Sequence, residues 1–204
     1  MFLAAALAVA GAMAEAEQGI VPLLQRADII TREPWKFVAE TRYAPVEIDG
    51  RRAIKAVSDS SASGTYRKIT IDLYETPVLR WSCRVENTLG NIAETDREDD
   101  HCPARVSALA AHPLLFWKTR VLSYVRCSAQ PEESDWPSAC IDSVKVIAVC
   151  GGEPGLGEWH EESPNVRKDL QQHFGKAVRY VDAVGFMTDS DDSGRRAVAY
   201  CGDV

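Results

Sequence analysis

Residues 78–86 of this chain alternate as a half-buried strand must. In "VLRWSCRVE" the residues Leu79, Trp81, Cys83 and Val85 take every second place, against Arg80, Ser82 and Arg84. Successive side chains of an extended strand point to opposite faces, so such a segment buries one face and wets the other. "TYRKITIDLYE" repeats the pattern, with Ile69, Ile71 and Leu73 against Lys68, Thr70 and Asp72. "APVEIDGRRAIKAVSD" sets Asp49-Gly50 between Val46/Ile48 and Ala53-Ile54/Val57, a strong signal for a two-residue hairpin. Strand signals continue in "ARVSALAA", "TRVLSYVRC", "SVKVIAVC", "VRYVDAVGFM" and "RRAVAYCGDV", and Trp35 and Phe37 read as an edge strand or an anchor. About nine or ten short strands in close succession predict an all-β chain, a jelly-roll-like antiparallel β-sandwich, and not a βαβ fold.

One helix interrupts them. "SPNVRKDLQQHFG" offers Ser163 as N-cap, Pro164 at the first helical position and Gly175 as the stop. Val166, Leu170 and Phe174 fall on one narrow apolar stripe. Two polar stretches, "NTLGNIAETDREDDH" and "SAQPEESDWPSA", read as loops. Loops as long as the first are often functional or disordered.

The 204 residues suffice for one sizeable core. A net charge of −7 argues against nucleic acid and against anionic lipid, both of which want a basic patch. Phe2 to Met13 is an apolar run too short for a bilayer span, which needs about 20 residues. It ends in Ala12-Met13-Ala14, an A-x-A-like cleavage site. Residues 1–14 therefore read as a signal peptide, 15–34 as a lead-in and 35–204 as one domain, periplasmic or secreted. No Lys or Arg precedes the run, so a buried N-terminal helix is the alternative.

The six cysteines form no C-x-x-C, which excludes zinc-ribbon and thioredoxin-type motifs. An even count in an exported chain permits disulfides. Cys83 and Cys150 lie in apolar strands, whereas Cys102 and Cys140 lie in loop-like segments and are the better disulfide candidates. The histidines His101, His112, His160 and His173 show no metal-binding spacing and read as scattered surface or loop residues. "GGEPGLGEW" lacks the spacing of a phosphate-binding loop, and no G-x-S-x-G occurs.

Two acidic stretches remain. Asp99-Asp100 ends the long loop, as cation ligand or general acid in one reading and as a partner of Arg105 in the other. "MTDSDDSG" places Asp189, Asp191, Ser193 and Gly194 at the first, third, fifth and sixth places of a calcium loop of EF-hand type. Its last place is Tyr200 where glutamate is required, and its flanks are strands. The stretch is then either a half-site for Ca²⁺ on Asp189 and Asp191, or a hairpin loop closed by Asx-turns with Gly194 at positive φ.

These motifs resemble the bacterial family of domain of unknown function 3047, over about residues 35–204. Met187, Thr188, Asp189 and Asp191, with Tyr200, Gly202, Asp203 and Val204, match its ending. Asp99, Asp100, Pro103, Ala104 and Arg105 match a second stretch, and Asn165, Val166, Asp169, Phe174 and Gly175 match its helix. Where the family carries an aromatic this chain has Cys83 and Leu170, and Pro164 replaces an arginine. The resemblance implies an exported, monomeric, jelly-roll-like domain and no established reaction. The expectation is a non-catalytic binding or structural module for a carbohydrate or cell-envelope ligand. Asp99, Asp100, Arg105, Asn165, Asp169, Asp189 and Asp191 are its candidate ligand-binding residues. A glycan hydrolase working through two carboxylates and a calcium-stabilised scaffold are the alternatives. Trp81 and Tyr124 are either sugar-stacking faces or core aromatics.

Overall fold

The computed structural model describes Leu23 and residues 33–38, 40–90, 94–96, 101–112, 118–139, 141–151, 154–175, 177–191 and 193–202. The proposed signal peptide, Asp99, Asp100 and Cys140 lie outside the described residues. The strands are β1 (Glu33–Val38), β2 (Arg42–Ile48), β3 (Arg51–Asp59), β4 (Ala62–Asp72), β5 (Trp81–Val85), β6 (Ala104–Ala110), β7 (Arg120–Cys127), β8 (Asp135–Pro137), β9 (Val144–Gly151), β10 (His160–Glu162), β11 (Tyr180–Asp189) and β12 (Arg196–Gly202). The helix α1 spans Val166–Phe174. A seven-stranded sheet runs β1-β4-β11-β6-β7-β9-β8 and a five-stranded sheet runs β10-β5-β12-β3-β2. This is an all-β sandwich with one short helix. Twelve described strands exceed the expected count because β8 and β10, at three residues each, are too short to show a period.

Among the described residues every pairing between these strands is antiparallel except β7–β9. The polar stretch after β7 contains β8, which folds back antiparallel on β9 and leaves β9 parallel to β7. The β2–β3 hairpin is the one the Asp49-Gly50 pair requires. Both residues have positive φ, 52° and 73°, so the turn has the twist that suits a tight hairpin.

The main core lies between the sheets. It takes Trp81, Cys83 and Val85 from β5, Val106 and Ala108 from β6, Leu122 and Tyr124 from β7, and Val184 and Phe186 from β11. A smaller cluster covers the other face of the seven-stranded sheet, with Val121, Val125, Cys127, Trp136, Val144 and Val146. β7 is thus buried on both faces, which is why apolar residues stand side by side in Val121-Leu122 and Tyr124-Val125 instead of alternating with polar ones. Trp81 and Tyr124 are core residues whose rings pack at 5.6 Å between centroids.

The helix begins later than its sequence suggests. Asn165 is the N-cap, and its side chain accepts the Lys168 N–H at 3.0 Å. Ser163 and Pro164 precede it, because the asparagine oxygen reaches the first-turn amide from its extended conformation. Gly175 closes the helix at φ 65°, in the left-handed region glycine enters freely. Val166 and Leu170 insert into the main core, and the Tyr124 hydroxyl donates to Asp169 Oδ2 at 2.7 Å, pinning α1 to β7. Tyr124→Phe should lower stability by about 1–2 kcal/mol, since it removes a bond to a charged acceptor and little packing. Urea unfolding checks this, and an unchanged midpoint would show that the bond does not hold the helix.

The stretch "MTDSDDSG" is not a hairpin loop. β11 pairs with β4 and β6, whereas β12 pairs with β3 and β5 in the other sheet. The chain crosses between sheets here, and Gly194 takes φ 60° in that turn. No helix among the described residues is long and apolar enough to cross a membrane.

Candidate functional site

Strand alternation continues through residues 188–191 and splits them into two pairs. Thr188 and Ser190 turn inward. The Thr188 N–H donates to the Tyr43 hydroxyl at 3.3 Å and its carbonyl accepts from Thr41 Oγ1 at 3.2 Å. The Ser190 N–H donates to the Ser61 carbonyl at 3.0 Å, and Ser190 Oγ lies 2.6 Å from Ser58 Oγ. Ser58 and Thr41 both bond Ser61 Oγ, at 3.0 and 3.2 Å. This buried network of hydroxyl and backbone groups ties the end of β11 to β3 and the start of β4, although the buried Thr188 Oγ1 itself has no hydrogen-bond partner among the described residues.

Asp189 and Asp191 turn the other way, onto His101. Asp189 Oδ1 lies 3.3 Å and Asp191 Oδ1 3.2 Å from His101 Nδ1. The Asp191 N–H donates to Asp189 Oδ1 at 3.4 Å, an Asx-turn, and the Asp189 N–H donates to the Cys102 carbonyl at 3.3 Å. The side chains of His101, Asp189 and Asp191 are only 5%, 11% and 14% exposed. Their ligand atoms all lie within 4.8 Å of one another.

The other expected residues divide. Asp99 and Asp100 are outside the described residues, but His101, which follows them, touches both carboxylates. Arg105 is buried in β6 opposite Met187, on the same sheet face as Asp189. Asn165 and Asp169 serve the helix. Asp169 meets Tyr124 on the inter-sheet face of β7, the opposite face from Asp189, so the structure does not bring them to the cluster.

Sequence reasoning passed over His101 and Glu94. His101 does sit in a loop segment, but its ring is buried, and the residue that explains it is 88 positions away. Glu94 is fully buried and accepts three successive backbone N–H groups, from Ser128, Ala129 and Gln130, the last two at 3.1 Å. Burial pushes its pKa up and the three N–H bonds pull it down. Glu94 also lies close to Cys102 and Cys127, but three of its roughly four acceptor sites already hold backbone N–H groups.

A small cavity of about 10 Å³, room for one water, lies between the sheets against Trp81, Cys83, Tyr124, Arg126, His160 and Glu162. Arg126 Nη2 donates to the Pro154 carbonyl at 2.9 Å, and its buried Nη1 has no protein partner. Burial, aided by the Glu132 charge and opposed by Arg126, pushes Glu162 up to about 7. A carboxyl that holds its proton more tightly when folded stabilises the fold below its ordinary pKa of 4.5, and that contribution is lost as pH rises through about 7. Glu162→Gln, fixed neutral, should therefore melt progressively higher than wild type across that window. A difference that stays flat with pH would contradict the shift.

Among the described residues no exposed aromatic platform stands beside these features. The exposed rings of Tyr74 and Tyr180 are covered by guanidinium groups, Arg167 at 4.0 Å and Arg179 at 5.3 Å from the respective centroids.

A family model described as "Protein of unknown function (DUF3047)" matches residues 32–204. No curated protein matches the chain.

Proposed function

The chain belongs to the DUF3047 family, and from that premise we propose that it is a non-catalytic binding module of the cell exterior that meets its ligand through a divalent cation. The observation that carries this reading is the buried convergence of Asp189 and Asp191 on His101. One imidazole nitrogen and two carboxylate oxygens make three protein ligands, a set that leaves positions open for an outside oxygen. Imidazole in the set favours zinc or manganese over calcium, which takes oxygen ligands. The ion would supply Lewis-acid attraction for hydroxyl or carboxylate oxygens, as on a sugar or a cell-envelope polymer.

Two features support the reading. The cluster falls on Met187–Asp191, the stretch that most resembles the family pattern. The hydroxyl network behind it holds residues 188–190 in register, as supporting groups around metal ligands do. The sugar-stacking reading of Trp81 and Tyr124 has no support, since both rings are spent on the core. The hydrolase alternative needs two carboxylates on either side of a scissile bond, and its pair, Asp99 or Asp100 with Asp189, includes a partner outside the described residues.

Thermal melting of the chelator-treated chain with Zn²⁺, Mn²⁺ or Ca²⁺ tests this. A rise with Zn²⁺ or Mn²⁺ exceeding that with Ca²⁺ is the expected result. No rise with any of them would leave His101, Asp189 and Asp191 as an ordinary imidazole–carboxylate cluster and end the cation reading.

A further inference from the structure

We propose that Cys102 and Cys127 are a disulfide pair, closed by exchange with a disulfide oxidant and stapling the entry of β6 to the end of β7. Cys102 precedes β6, and Cys127 is the last residue of β7. The β6–β7 register pairs Ala104 with Arg126, which brings the two cysteines together diagonally across the ladder. Their sulfurs are 3.5 Å apart, and the residues are 0% and 1% exposed. That is van der Waals contact between sulfurs, and an approach of about 1.5 Å closes the bond. Cys102 was expected to pair through loop segments, with Cys140 as the other candidate. The structure puts a different thiol, on a strand, against it.

Two competing roles for the pair fail. A metal site would need Glu94 as third ligand, and Glu94 already accepts three backbone N–H groups. A reactive thiolate needs exposure and a nearby cation. Here contact with the Cys102 thiol, burial and nearby negative charge hold the Cys127 thiol far above its usual range, against the pull of Arg105. The pair is inert chemistry unless it is structural.

The reaction balances as exchange. One cysteine thiolate attacks a disulfide of the oxidant, a protein disulfide or oxidised glutathione, and forms a mixed disulfide while releasing one thiol. The second cysteine thiolate then displaces the other thiol. Two S–H bonds break, one S–S bond forms, and two electrons and two protons leave with the oxidant, now two thiols. Because both sulfurs are buried, exchange needs the β6–β7 end open. Once formed, the bond is shielded from reductant by the fold. It would hold the residue next to His101 on the sheet whether or not a cation binds there. It also leaves Cys83, Cys140, Cys150 and Cys201 as the cysteines still to be accounted for. Of these, Cys83 and Cys201 stand directly opposite across β5–β12.

The test is a non-reducing peptide map of the full chain after incubation with oxidised glutathione in sub-denaturing urea, alkylated in denaturant. The expected result is one peptide pair joined through Cys102 and Cys127. Finding both alkylated, capped by glutathione, or joined to other cysteines would overturn the proposal. Cys102→Ser gives a second reading. In it Cys127 should be recovered alkylated or capped by glutathione, and a Cys127 joined to another cysteine of the chain would equally overturn the assignment.

Discussion

Replacing Glu94 by alanine is expected to cost about 3–5 kcal/mol of stability, the range for breaking a buried, charge-assisted arrangement by removing one partner. The carboxylate is fully buried and holds the N–H groups of Ser128, Ala129 and Gln130. Alanine would strand those three donors and leave a void. In a domain of this size that loss lowers the melting temperature by roughly 10 °C. Glu94→Gln should fall between, since an amide offers one acceptor oxygen and turns its NH₂ towards donors. Thermal and urea unfolding measure both variants. A loss below about 1 kcal/mol for the alanine variant would mean that water replaces the carboxylate, and that Glu94 does not organise the turn after β7.

The second large effect is the response to metal. If the cluster binds one ion, a concentration a hundredfold above the dissociation constant adds about 2.7 kcal/mol to stability. That corresponds to roughly 5–10 °C for a domain of this length. His101→Ala and Asp189→Asn should melt identically with and without the ion, because each removes one of three ligands. Their melting temperatures also fall without metal, so the response and not the melting temperature is the diagnostic quantity. Ser190→Ala should bind still, but roughly 10- to 100-fold more weakly, because it loosens the support behind Asp189 and Asp191 and removes no ligand. A full response in His101→Ala would locate the ion elsewhere.

Local chemistry was the legible part of this fold. The alternation in "VLRWSCRVE" marks β5, Asp49-Gly50 forms the β2–β3 turn, and Val166 and Leu170 are the buried stripe of α1. Gly175 and Gly194 take the positive φ that glycine allows. What was not legible is pairing between distant segments. Nothing near "MTDSDDSG" tells that β11 and β12 enter different sheets, so a crossover looked like a hairpin. The helix start was misread because Ser163 and Asn165 are both good caps, and only the conformation decides between them.

The candidate site divides in the same way. Asp189 and Asp191 stood out because they share a tight turn. His101 did not, because a single histidine has no spacing to read and its partners are far along the chain. Glu94 is hidden for a similar reason, as a backbone clamp leaves no residue pattern. Asn165 and Asp169 stood out through the helix motif and proved to serve the helix.

Direct titration of the chelator-treated full chain with Zn²⁺ and with Mn²⁺, followed by calorimetry, tests the central claim most closely. The account predicts one ion bound per chain for at least one of these metals, with binding lost in both His101→Ala and Asp189→Asn. Absence of binding, or binding that survives unchanged in either variant, would contradict it.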